Sequence, residues 1–163
     1  MATTTPRKIL SLLQQREVTV ATAESCTGGG IAAALTSVSG SSAWVKGGIV
    51  AYCNDVKMQL LAVPAATIES CGVVSEPVVL AMADGACRAL QADVAVATSG
   101  VTGPTGGTEE NPVCTVWIAV AGRDGRALTC RYSAPDEGRA ANTRHAIRKA
   151  LEMLGEYLEN EEK

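Results

Sequence analysis

The stretch "VTVATAESCTGGGIAAAL", residues 18–35, decides the fold class of this chain. Its first six residues are apolar or β-branched and read as a strand, and its last residues read as a small-residue helix. Between them lie "ESCT" and three consecutive glycines. A strand that passes through a tight glycine turn into a helix is the building unit of α/β sheets. The turn also poses the functional question. Ser25, Cys26 and Thr27 run into Gly28, Gly29 and Gly30, and such a junction can cradle a phosphate, present a nucleophile or simply close a loop.

The flanking sequence repeats the pattern. From Pro6 to about Glu17, Ile9, Leu10, Leu12 and Leu13 keep near-helical spacing, and Pro6 suits a first turn. Gly28 to Val38 reads as a helix ended by "SGSSA". "GGIVAYC" (47–53) reads as a second strand, and "NDVKMQLLAV" (54–63) as a helix capped by Asn54 or Asp55 and closed by Pro64. Residues 76–91 form another helix, striped by Val79, Met82, Ala83, Ala86 and Leu90. "DVAVATSG" (93–100) is a strand running into "VTGPTGGTEENP" (101–112). "CTVWIAVA" and "ALTCRYS" make a hairpin about Asp124-Gly125. Ile147, Ala150, Leu151, Leu154 and Leu158 mark a terminal helix, and the tail "ENEEK" reads as a solvated, frayed end. The expected fold is a single three-layer α/β/α domain over residues 1–163 with a mixed, mainly parallel sheet.

Composition narrows the function. Apolar residues make up 47% and charged residues 19% of 163, with no Phe, so the core is built from Val, Leu, Ile and Ala in close layers. A net charge of −3 gives no general attraction to nucleic acid. No apolar run reaches signal-peptide or membrane-spanning length, which points to a cytoplasmic protein without a membrane partner. Six cysteines without a CxxC pair read as reduced thiols. His145 is the single histidine and no ligand spacing fits, so no metal is expected.

Two glycine-rich turns sit where strands end, the place where α/β sheets gather ligands: "AESCTGGG" and "SGVTGPTGG". Neither is a Walker loop or a GxGxxG fingerprint. Ser25 is a candidate nucleophile or a helix cap. His145 falls inside the terminal helix, so a serine here needs another base. "YCNDVK" offers two: Tyr52 at the end of a strand and Lys57 one turn into the next helix, although a strand aromatic and a solvated lysine fit the same spacing. If Ser25 points into the cleft from an extended segment, Cys26 points away from it. Arg139 and Arg144 can hold a phosphate or line a charged helix surface.

Several strings together, "TAESCTGG", "GSSAWVKGGIVAYCNDVK", "GVVSEPVV", "SGVTGPTGGTEENPVCTVW" and "GRAANTR", resemble the C-terminal domain of the competence/damage-inducible protein CinA over roughly residues 8–158. Stand-alone members of that family are nicotinamide mononucleotide amidohydrolases of pyridine nucleotide salvage. The resemblance implies hydrolysis of the carboxamide to nicotinate mononucleotide and ammonia, without metal or organic cofactor. It also implies Ser25 as nucleophile, with Lys57 and Tyr52 as its partners and amides around Thr27, Gly28 and Gly29 for the oxyanion. The second turn (Ser99, Gly100, Gly103, Gly106, Gly107) with Arg139, and more loosely Arg144, is then the expected ribose-phosphate site. Asn54 orients the amide or caps its helix. A homo-oligomer, most simply a dimer, is also implied.

Two departures stand out. Cys114 occupies a position where the family usually carries glycine, so crowding near the second turn is expected. The larger N-terminal domain of full-length CinA proteins has no counterpart in these residues. Two rivals stay open: a catalytically silent nucleotide- or partner-binding module, and an enzyme for another amide or ester.

Overall fold

In the computed structural model, which describes residues 4–160, the chain builds one five-stranded sheet between two layers of helices. Helix α1 (Pro6–Arg16) leads to β1 (Val20–Glu24), α2 (Gly30–Thr36), a short 3-10 turn (Ser41–Ala43) and β2 (Val45–Val50). Helices α3 (Asn54–Leu61), α4 (Ala65–Cys71) and α5 (Glu76–Leu90) precede β3 (Val94–Gly100). The hairpin of β4 (Thr115–Gly122) and β5 (Ala127–Ser133) and the long α6 (Arg139–Glu159) complete it. The order across the sheet is β2-β1-β3-β4-β5. β1 pairs in parallel with β2 and β3, while β4 is antiparallel to both its neighbours. Four strands therefore share a direction and β4 alone opposes them, as the mixed, mainly parallel expectation requires.

Side-chain size alternates along the central strands and makes the two faces of the sheet different. Val20, Val94, Val96, Val116, Ile118 and Val120 face one way and pack with Ile9, Leu13, Ile31 and Leu154. Ala21, Ala23, Ala95, Ala97, Ala119 and Ala121 face the other way, against Leu61, Val78, Met82 and Ala86. Successive strand residues point to opposite faces, so the period-2 pattern sorts the layers. The alanine face lets α5 sit close to the sheet, and α5 in turn closes on α3: a Cβ at Gly85 would overlap the Leu61 carbonyl.

This topology fixes where a ligand can sit. From β1 the chain moves to β2 on one side, then crosses to β3 on the other, so a crevice opens at the carboxyl ends of these parallel strands. Both glycine turns emerge at that edge.

Several boundaries differ from the sequence reading. β2 runs over Val45–Val50, not 47–53. Its last link is the Ala51 amide donating to the Glu24 carbonyl at 2.8 Å, so Tyr52 stands beyond the strand instead of at its end. The cap of α3 is extended Cys53, without a side-chain bond; Asn54 is the first helical residue, and neither it nor Asp55 caps. α2 starts at Gly30 because Gly28 and Gly29 take φ of 59° and 96°, outside any right-handed helix. α4 had no expectation, since none of its residues is buried and no apolar stripe announces it. The stripe of α6 lies in the core, and of the tail Glu161, Glu162 and Lys163 fall outside the described residues.

Cys114 is buried and has φ of 72°, left-handed backbone that favours glycine. The cost of replacing the usual glycine therefore lies in the backbone itself. In equilibrium unfolding, Cys114→Gly will be more stable than Cys114→Ala by about 1 kcal/mol, because the pair differ mainly in tolerance of this conformation. Equal stability would show that the backbone carries no strain.

Candidate active site

The first glycine turn is organised by the residue before the serine. Glu24, the last residue of β1, is 0% exposed. Its carboxylate accepts from the amides of Ile31 (2.8 Å) and Ala32 (2.9 Å) in the first turn of α2, and from the Thr22 hydroxyl (3.1 Å). The donors at the start of α2 thus already hold an anion, the protein's own. Of the readings the sequence left open, an open phosphate cradle at this turn is removed. The Gly28 amide donates to the Ser25 carbonyl, and the Ser25 amide to the Thr98 carbonyl, both at 3.1 Å. Thr27 and Thr98 share a hydroxyl–hydroxyl bond of 2.8 Å.

Ser25 is 8% exposed, and its Oγ accepts a 3.1 Å hydrogen bond from Lys57 Nζ. Lys57 is 1% exposed, and its second acceptor is the Ala51 carbonyl at 2.8 Å. The pairing follows from topology. β1 and β2 are parallel neighbours, so the residues just past their ends, Ser25 and Ala51, lie side by side, and the first turn of α3 brings Lys57 back over both. Burial holds Lys57 below the ordinary lysine value of 10.5. A buried amine with a lowered pKa beside a hydroxyl is the arrangement that lets lysine act as a base.

Ser25 and Lys57 open onto a cavity of about 420 Å³, a size suited to a small-molecule ligand. Its far wall is the second glycine turn. There the amides of Thr102, Gly103, Thr105 and Gly106 donate to no protein acceptor among the described residues, and these four residues line the crevice. Arg139, at the start of α6, bridges the mouth: Nη1 donates to the Gly103 carbonyl (2.7 Å) and Nη2 to the Tyr52 hydroxyl (3.0 Å). A second cavity of about 450 Å³, lined by Arg16, Asp93, Arg123, Asp124, Arg126 and Tyr157 among others, contains none of the expected site residues.

Of the expected residues, Ser25, Tyr52, Asn54, Lys57, Ser99, Gly100, Gly103, Gly106 and Arg139 line the first cavity. Five do not. Thr27 turns its hydroxyl inward to Thr98, Gly28 and Gly29 form the back of the turn, and Gly107 packs on the backbone of Val113. Arg144 is exposed, five residues along α6 from Arg139 and so about 140° round the helix from it. Tyr52 is 63% exposed and its recorded partner is Arg139, not Ser25 or Lys57. Cys26, expected to point away, lines the cavity in part while also joining the core, because the strand stops at Glu24 and alternation no longer applies. Burial pushes its thiol up to about 12, so it stays protonated and a poor nucleophile near neutrality.

Sequence reasoning missed Asn142. Its Nδ2 donates to the Thr102 carbonyl (3.1 Å) and to Asp136 (2.8 Å), while Oδ1 accepts from the Glu137 amide (3.1 Å). It fastens the second turn to α6. The available signal was an amide side chain four and eight residues ahead of Ala146 and Ala150 on the buried stripe.

The family model described as the CinA C-terminal domain matches residues 2–158. A CinA-like protein of Parasynechococcus marenigrum is 50% identical over 90% of this chain, but the chain spans only 35% of that relative's length. The nicotinamide-nucleotide amidohydrolase PncC of Escherichia coli K12 is 47% identical over 91% of this chain and 90% of its own. The crystal structure of the competence/damage inducible protein CihA from Agrobacterium tumefaciens superposes with a TM-score of 0.91 at 42% identity, covering 95% of this chain and 93% of that one.

The lysine also leaves a mark on stability. Its pKa is lowered in the fold and ordinary when unfolded, so between those two values the unfolded chain binds the extra proton. Stability from this group is therefore least below the folded pKa and rises with pH up to 10.5. In denaturant titrations the wild type will gain on Lys57→Met as pH is raised from about 7 towards about 10. A difference independent of pH would mean that burial does not perturb this amine.

Proposed function

The chain belongs to the CinA C-terminal domain family, and from that membership and its Ser25–Lys57 pair we propose that it is an amidohydrolase of nicotinamide mononucleotide acting in pyridine nucleotide salvage. The single observation that carries this reading is the 3.1 Å bond between a buried lysine of lowered pKa and a serine at the cavity floor. The name of the E. coli relative, which this chain matches almost end to end, supports the substrate.

The neutral Lys57 amine takes the Ser25 proton as Oγ attacks the carboxamide carbon. The Gly28 amide is already bonded to Ser25, so among its neighbours the oxyanion falls to the amide of Cys26, which lines the cavity. Collapse of the tetrahedral intermediate breaks the C–N bond, and Lys57 returns its proton to the leaving ammonia. Lys57 then deprotonates a water that attacks the ester; the bond from the acyl carbon to Ser25 Oγ breaks, Lys57 returns the proton to Oγ, and nicotinate mononucleotide leaves. Since Lys57 reaches Ser25 directly, no relay through Tyr52 is needed, and Tyr52 instead shapes the mouth with Arg139. The substrate phosphate goes to the free amides of the second turn and to Arg139. Asn54 and Ser99 also line this cavity.

The setting we read is the cytoplasm; among the described residues no helix is long and apolar enough to cross a membrane. The dimer implied by the family must use a surface other than the α6 stripe, which is spent on the core.

Incubation with nicotinamide mononucleotide will release ammonia and nicotinate mononucleotide in equal amounts. Ser25→Ala and Lys57→Ala will each lower kcat by about 10³-fold or more, whereas Cys26→Ala will stay within about threefold. Arg139→Ala will raise KM about tenfold or more with a smaller change in kcat. Nucleotide binding without ammonia release would establish a silent binding module instead, and full turnover by Ser25→Ala would sink the nucleophile assignment.

A further inference from the structure

Glu24 is a fully buried carboxylate for which the reaction just described has no use. No lysine or arginine forms an ion pair with it among the described residues. Its three partners are all donors: Oε1 takes the Ile31 amide, and Oε2 takes the Ala32 amide and the Thr22 hydroxyl. Its own carbonyl takes the Ala51 amide, and the Ala51 carbonyl in turn holds Lys57 Nζ. One residue therefore ties together the start of α2, the end of β2 and the lysine's second acceptor, while sitting next to Ser25 in the chain.

The rest of the segment is fastened at Ser25 and Thr27, which both link to Thr98, and the join to α2 beyond them is glycine. Residues 25–29 include two consecutive glycines with positive φ, and α2 beyond them has only seven residues. From this we infer that Glu24 is a positioning residue, whose carboxylate clamps both ends of the nucleophile turn so that Ser25 Oγ meets Lys57 Nζ and the adjacent amides meet the reacting carbonyl. The inference rests on Ser25 being the nucleophile. The clamp requires a carboxylate. Glutamine offers one acceptor oxygen where two are used and sets an NH₂ group against a backbone donor. A misplacement of the order of 1 Å at a reacting atom costs about 100-fold in rate.

The test separates chemistry from folding and from substrate choice. A phosphonofluoridate probe reacts when serine oxygen bonds to phosphorus and fluoride leaves, with the serine proton passing to the base; intact-mass and peptide mapping then read the rate and the site. Wild type will be phosphonylated at Ser25. Glu24→Gln will react about tenfold or more slowly, while its affinity for nicotinate mononucleotide, measured by calorimetry, changes by less than about threefold. Thr22→Val, which removes one of the three donors and keeps the shape, will show a smaller loss in the same direction. It carries the test if Glu24→Gln does not fold. Wild-type labelling rates in Glu24→Gln would overturn the clamp and leave the nucleophile standing. Parallel loss of labelling and nucleotide affinity would reduce Glu24 to a folding role. Failure of wild type to label at Ser25 would overturn both the nucleophile assignment and the clamp.

Discussion

A lysine amine kept out of water against one serine hydroxyl and one backbone carbonyl is the constraint on which this structure turns. Water would stabilise the ammonium form; the protein withholds that solvation and offers two neutral oxygens instead. Everything near Lys57 serves this placement. The parallel pairing of β1 and β2 sets Ser25 beside Ala51, the short link through Tyr52 and Cys53 turns the chain, and the first turn of α3 carries the amine back across the strand ends.

The layered core makes such a placement possible. Valine and isoleucine on one face of the sheet and alanine on the other give two cores of different depth. The alanine face draws α5 close to the sheet, and glycine at position 85 then lets α3 close on α5. On the opposite face, α2 is short, and its first donors are occupied by Glu24. The two glycine turns, alike in composition, thereby differ: the first is filled internally and presents a serine, while the second lines the cavity with amides that have no protein acceptor among the described residues.

Much of the architecture was legible from local pattern. The strand–glycine–helix junction at 18–35 and the Asp124-Gly125 hairpin needed no tertiary knowledge, since period and turn chemistry are local properties. What was not legible depended on partners distant in sequence. No local signal says that the Glu24 carboxylate takes the amides seven and eight residues on, and so closes the first turn to phosphate. Arg139 and Arg144 look equivalent as a list of arginines, yet helical geometry sends one to the cavity mouth and the other away from it. Cys26 packs in the core as its pattern suggests, and it also borders the cavity because strand alternation ends at Glu24. Asn142 was missed because an amide on a helix gives no sign of being buried until the loop it fastens is in place.

The proposed chemistry reduces to the charge on one nitrogen. The most direct measurement is a ¹⁵N NMR titration of lysine Nζ, with the Lys57 signal assigned by its loss in Lys57→Arg. The account requires Lys57 to lose its proton below the ordinary lysine value of 10.5. A Lys57 ammonium that persists up to that ordinary value would contradict it, because a charged lysine cannot accept the proton of Ser25.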